Sequence, residues 1–216
     1  MRTMVHAAAA LLTLVAGPAL AQTAEFEAAG VRYSVPAPEG YCSTGPAIDS
    51  YLEAQRRGNP RSVPDAIFAR CGIKSMQPYD FFAVVVKREG PSIERDAMIA
   101  QMRAELPEAL RKETLVSEAA RQGVERRARE AFDTSLSVNA GIKPVGLDDF
   151  CGYIAGVIQF RVEGQAPVNV ATIGCATSIG GRPIFVFRYT SDIDAAAAAK
   201  GLPDLKRFAQ SIGARK

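Results

Sequence analysis

Tryptophan is absent from the 216 residues, and histidine occurs once, at His6. That histidine sits in a leader-like stretch, MRTMVHAAAALLTLVAGPALAQ. Arg2 supplies a short positive start, and Ala7 to Ala16 is a run of about ten small or apolar residues, within the range of a secretory h-region. Pro18 breaks the helix, and Ala19-Leu20-Ala21 offers an A-x-A cleavage site. The pattern predicts a signal peptide over 1–21 and a mature start at Gln22, leaving 195 residues of the 216 and no histidine. Histidine is the commonest general base and metal ligand. Its absence excludes Ser-His-Asp and Cys-His catalysis and every His-containing zinc site.

Other absences narrow the field further. No later run approaches the roughly 18 apolar residues of a membrane span, so no transmembrane segment is expected in the mature chain. No cysteine follows the cleavage site before Cys42, so a lipid anchor there is not expected. The formal charge of +3 falls to +2 once Arg2 is removed, too mild for a dedicated nucleic-acid binder. Neither G-x-G-x-x-G nor a P-loop occurs, SMQP at 75–78 lacks the lysine of an S-x-x-K motif, and no EF-hand spacing is present. Catalytic, metal-binding and cofactor-binding residues are therefore not assigned, and no cofactor is expected.

What is present includes four cysteines, Cys42, Cys71, Cys151 and Cys175. An even number in an exported chain predicts two disulfides. Between Cys151 and Cys175 lie GYIAGVIQFRV and VNVATIG, joined by the turn-like EGQAP. A hairpin centred near residue 163 would set the two cysteines at similar heights. Their shared parity puts both on one face, because strand side chains alternate with period two. Cys151–Cys175 is thus favoured, which leaves Cys42–Cys71 to close a loop over the first helical region. A four-thiolate zinc site would want two closely spaced pairs, and these intervals are long.

Along the chain, 22–29 reads as a flexible lead-in and 30–216 as a single domain. VRYSV, 31–35, alternates as a strand, and a helix is expected from Ala47 to Arg57 with Ile48, Tyr51 and Leu52 on one side. A short helix is expected from Pro64 to Arg70. DFFAVVVKR, 80–88, is a strong strand. Ser92 is placed to cap a helix whose apolar stripe is Met98, Ile99, Met102 and Leu106, and Pro107 to begin another segment. From Glu113 to Arg129 the pattern fits helix or twisted strand. Strands are expected over 132–138, 152–162, 168–179 and 183–190, the last two joined by a tight turn at Gly180-Gly181. Ser191 is expected to cap a helix that Gly201 ends, with Asp194 in the capping-box position. A final helix presents Leu205, Phe208, Ala209 and Ile212 to the core.

That order describes an α+β domain with helices on a mostly antiparallel sheet. The VRYSVPAPEGYC strand-and-turn, the successive C-terminal hairpins and the closing amphipathic helix resemble the PsbP-like α/β/α sandwich proteins, over most of the mature chain. The resemblance implies an accessory or binding role, and it carries over no functional residue.

Three constellations remain. Asp148 and Asp149 read as a polar turn, and Asp192 and Asp194 as charges favoured in a helix's first turn rather than as cation ligands. RQGVERRAR, 121–129, is the densest basic stretch, interrupted by Glu125 and without aromatic residues to stack bases; it reads as a solvated face. Arg188 and Tyr189 end a strand beside a helix start and are candidate contacts for an anion or other ligand. The expectation is an exported, non-catalytic periplasmic domain that binds a protein or cell-envelope component, or a secreted one in a single-membrane cell. The alternative is a carrier of a small apolar or anionic ligand. A third reading is a hydrolase using carboxylates or serine, since paired Asp/Glu chemistry needs no histidine.

Overall fold

The computed structural model describes residues 22–58, 63–112, 114–119, 121–123, 125–126, 136–191 and 194–215. The expected signal peptide lies outside them. The alternation in VRYSV sets the first layer: in β2 (Val31–Pro36), Val31, Tyr33 and Val35 are buried while Arg32 and Ser34 face out. Residues 23–28 are not a lead-in. They form β1 (Thr23–Ala28), paired antiparallel with β2, and Phe26 stacks on Tyr33 at 5.3 Å. A third strand that the sequence pattern did not reveal, β10 (Gly213–Arg215), completes the sheet order β1-β2-β10.

The larger sheet has seven strands, all antiparallel to their neighbours, in the order β3-β4-β5-β9-β8-β7-β6. They are β3 (Tyr41–Cys42), β4 (Ala66–Arg70), β5 (Asp80–Val86), β6 (Leu136–Leu147), β7 (Gly152–Val162), β8 (Val168–Ile179) and β9 (Arg182–Ser191). The expected helix at Pro64–Arg70 is thus a strand. AIFA is buried on both faces between β3 and β5, and a short all-apolar run carries no period to separate strand from helix. β5 has the same double burial, with Phe82, Val84 and Val86 in one cluster and Phe81 and Ala83 in the other. β6 begins later and runs much further than expected; residues 132–135 lie outside the described residues. Pro144 and two glycines masked its continuation, and an edge strand tolerates them. Gly180 and Gly181, at φ 64° and 78°, make the two-residue turn between the paired Ile179 and Arg182.

Helices cover both faces. α1 (Pro46–Gly58) packs Ile48, Tyr51 and Leu52 against Ile67, Phe81 and Ala83. α2 (Arg95–Ala109) lies on the same face, farther along the sheet, against β6 and β8. Its stripe is as expected, but Glu94 occupies the N-cap, Ser92 Oγ instead donates to the Gly181 carbonyl at 2.8 Å, and Pro107 lies inside the helix. On the other face sit α3 (Ala195–Ala199), α4 (Leu202–Gln210) and the small sheet. Leu205, Phe208, Ala209 and Ile212 join Tyr33, Phe68, Phe82 and Ile184 in the main core. The cap of α3 is Asp194, whose carboxylate accepts from Ala197 N at 2.7 Å; Ser191 remains in β9, and its Oγ accepts from Tyr79 N. Of 113–129, residues 118, 119, 121–123, 125 and 126 are helical. No helix among the described residues is long and apolar enough to cross a membrane.

Both bridges form as expected, Cys42–Cys71 around α1 and Cys151–Cys175 at the base of β7 and β8. The hairpin register differs by two residues from that proposed: Tyr153, not Cys151, is opposite Cys175. A two-residue slip preserves the face, so the bridge closes diagonally. The fold is α+β, with antiparallel sheets, helices and two disulfides.

Candidate ligand-binding cleft

Where α2 crosses the sheet, close packing fails and leaves a cleft of about 350 Å³. The helix contributes Met102, Leu106 and Ala109, and the sheet contributes Tyr153, Ile154, Phe185 and Phe187. The space has a sequence origin. The strand positions beneath the helix include Gly146, Gly152, Gly174 and Ala176, which project little or nothing toward it. At Gly174 a Cβ would lie 2.8 Å from Ile154 Cγ1 and 3.0 Å from Phe187 Cδ1, so the flanking side chains need a glycine there. Along α2 only Ile99 is fully buried, while Met98, Met102 and Leu106 stay partly exposed over the opening.

A β-bulge shapes one wall: Pro144 pairs with Ile154 and Gly146 with Tyr153, leaving Val145 as the extra residue. Among the described residues four large apolar side chains are exposed, and three of them, Leu110, Leu115 and Val145, belong to this end of α2 and the bulged wall. Among the described residues Glu105 is the one carboxylate in the lining. The described residues therefore do not bring together in this cleft the paired carboxyls that a histidine-free glycosidase requires.

Beside the cleft, Asp148 organises the turn that delivers Cys151 into β7. Its Oδ1 accepts from the backbone N–H groups of Phe150 and Cys151, both at 2.7 Å, and its Oδ2 accepts from Tyr153 Oη and Lys206 Nζ, also at 2.7 Å. Burial alone would raise this carboxyl. The hydrogen bonds from Lys206, the backbone and Tyr153 outweigh it and hold the group well below the usual carboxylate range. Burial, together with the same contact, pushes the Tyr153 phenol up, so its hydroxyl stays protonated. Asp148 is thus a structural anchor, in the polar turn that the sequence suggested.

Arg188 and Tyr189 are adjacent in β9 and point to opposite faces, so the structure does not bring them together. Tyr189 stacks on Phe81 at 4.9 Å in the second cluster, where burial raises its pKa. Arg188 lies over the Phe82 ring at 5.3 Å and donates through Nη2 to Asp80 Oδ1 at 3.2 Å and Tyr41 Oη at 3.3 Å. Asp80 also accepts from Arg70 Nε and Tyr41 Oη, each at 2.8 Å. Its burial is offset by these donors and by the Arg188 charge, which keep its pKa lowered. Two guanidiniums share this carboxylate beside an open groove of about 590 Å³, whose lining sets Arg70, Arg188 and Arg207 against Glu39 and Asp204, with Arg207 paired to Asp204. Arg188 Nε is buried with no hydrogen-bond partner among the described residues.

The basic stretch resolves in part. Arg121 is paired with Glu118 and Glu125, and Arg127 and Arg129 lie outside the described residues, as does Asp192. The sequence suggested a carrier of a small apolar or anionic ligand only as the alternative, and it did not locate the cleft. Its available signal was glycine within strands, Gly146, Gly152 and Gly174, facing a helix with a methionine-rich stripe.

No family model matches the chain, and no curated protein matches it. Solved structures do. The solution structure of cyanobacterial PsbP from Synechocystis sp. PCC 6803 is 12% identical, with 94% of this chain and 99% of that chain covered and a TM-score of 0.38. The Ran-binding protein Mog1p of Saccharomyces cerevisiae is 12% identical, covering 88% and 92%, with a TM-score of 0.29. The likeness to PsbP is one of layout, as the order of elements suggested, and no residue correspondence is drawn from either.

Proposed function

We propose that this chain works by binding rather than by catalysis, as an exported domain of the cell envelope that matures at Gln22. The cleft beneath α2 is its binding site, and a protein or another envelope component places an apolar group there. One observation carries this reading: the chain leaves an apolar hollow of about 350 Å³ between a helix and a sheet and surrounds one end of it with exposed Leu110, Leu115 and Val145. Ligand pockets typically occupy about 300 to 1,000 Å³ and are mainly apolar. The two bridges and the lack of any histidine after His6 fit maturation in an oxidising compartment without the usual catalytic groups.

The test compares the mature protein with Ala176→Phe, which fills the cleft from the β8 side. Immobilised on beads and exposed to envelope extract from the native host, the parent retains a reproducible component at several salt concentrations and the variant does not. Equal retention by both proteins, or none by either, contradicts the reading. A second reading, an anion held at Arg70 and Arg188, is favoured by Arg188 Nε, which is buried with no hydrogen-bond partner among the described residues. It predicts retention that Arg188→Met abolishes and Ala176→Phe does not.

A further inference from the structure

We infer that the cleft beneath α2 takes a single unbranched hydrocarbon chain, the tail of an amphiphile; this rests on the cleft being the binding site proposed above. Shape comes first. The cleft continues into a second recess of about 270 Å³, with which it shares Met102, Glu105 and Phe185. Together they make a furrow that follows α2 from Met98 to Ala109, about 16 Å at 1.5 Å per residue. A hollow drawn out along one helix suits a chain better than a compact ring system.

The lining chemistry agrees. The Tyr153 side chain turns to the opposite face, where its hydroxyl donates to Asp148, and Glu105 Oε1 accepts from Gln101 Nε2 at 2.9 Å. Most of the lining is apolar and offers a polar ligand few partners, whereas a hydrocarbon has no hydrogen bonds to lose. Met98 and Met102, one turn apart on α2, are flexible thioethers that can follow a chain's contour. Opposite them Phe185 and Phe187 form a flat wall, their rings 6.4 Å apart and 10° from parallel. Polarity changes along the furrow: the second recess is lined by Lys87, Glu89 and Gln101, where a headgroup remains in water. The shared chemistry is the hydrocarbon chain, supplied by a free amphiphile or by a membrane lipid.

The chain has no tryptophan, so Phe187→Trp installs a sole tryptophan reporter in the wall, excited apart from the tyrosines. The mature protein carrying it is titrated with sodium dodecanoate, sodium hexanoate, a dodecanoyl lysophospholipid, and vesicles of phosphatidylethanolamine and phosphatidylglycerol. Dodecanoate and the lysophospholipid give a saturable blue shift at one chain per protein. Hexanoate binds at least about tenfold more weakly, because it buries fewer methylenes. Ala176→Phe and Ala109→Phe, each in the reporter background and each melting cooperatively, weaken dodecanoate about tenfold or more; Leu106→Trp is the second reporter if Phe187→Trp does not fold. A matching response to vesicles assigns the chain to membrane lipid, and its absence to a free amphiphile. No saturable shift with any probe, or a shift that both filled variants leave unchanged, overturns the inference. If dodecanoate fails while Ala176→Phe still abolishes retention of an envelope component, the hydrocarbon assignment falls and the cleft reading stands. If retention also ignores the variant, the cleft reading falls with it.

Discussion

Asp148 accepts from Phe150 N, Cys151 N, Tyr153 Oη and Lys206 Nζ, which makes it the most heavily engaged carboxylate beside the cleft. Its pKa is lowered from 3.8 in the folded protein. A depressed carboxylate contributes stability that is fully present above the unfolded value and is lost as pH falls through the folded one. The protein therefore loses stability progressively below about pH 4, with Asp80, also lowered, acting in the same direction. Asp148→Asn costs about 1 to 2 kcal/mol at pH 7, from weakened charge-assisted hydrogen bonds, and flattens the acid arm. Urea midpoints at pH 7 and pH 3 measure both effects. The neighbouring cysteine was legible in the sequence because parity survives a two-residue slip; the register itself was not, since loop length alone leaves it open. Removing the bridge by Cys151→Ala with Cys175→Ala, across 24 residues of separation, costs about 3 kcal/mol in chemical denaturation. Arg188 and Tyr189 teach the opposite lesson. Adjacency in a strand separates side chains instead of gathering them, and Asp80, Arg70 and Tyr41, which do surround Arg188, are remote in sequence.

At the scale of elements, period decided what the sequence revealed. β2, α1 and α4 each bury one face, and their alternation or stripe was readable. β4 buries both faces in five residues and read as a helix; β1, with Glu25 and Glu27 outward, read as a tail although Ala24, Phe26 and Ala28 face in. β6 escaped because it is an edge strand, where Pro144 and glycines are tolerated. Its open edge is covered by local hydrogen bonds. Leu115 N donates to the Ile142 carbonyl at 2.8 Å, Thr114 Oγ1 to the Ala140 carbonyl at 2.8 Å, and Val138 N to Glu125 Oε1 at 2.8 Å. Such cover blocks strand addition by another chain. Glu125→Ala removes the acceptor for Val138, and amide hydrogen exchange there accelerates about tenfold, the size of one lost charge-assisted bond. Exchange at Val84 and Val186, inside the sheet, stays unchanged. An equal acceleration at those sites would mean global destabilisation instead of loss of edge cover.

For the whole molecule, composition and order of elements carried the fold class and both disulfides. Those signals are local or depend on parity, and each survives small register errors. The cleft was not legible, because it arises where α2, β7, β8 and β9 fail to fill space together, a property of no single segment. The molecule is a bridged scaffold with an apolar hollow open at its surface. The proposal places binding in that hollow. The most direct measurement is a methyl and amide chemical-shift map of the non-reduced mature protein, titrated with envelope extract from its native host. The account predicts shifts concentrated on Met102, Leu106, Tyr153, Phe185 and Phe187, and their disappearance with Ala176→Phe. Shifts confined to other surfaces, with those five residues unmoved, would contradict it.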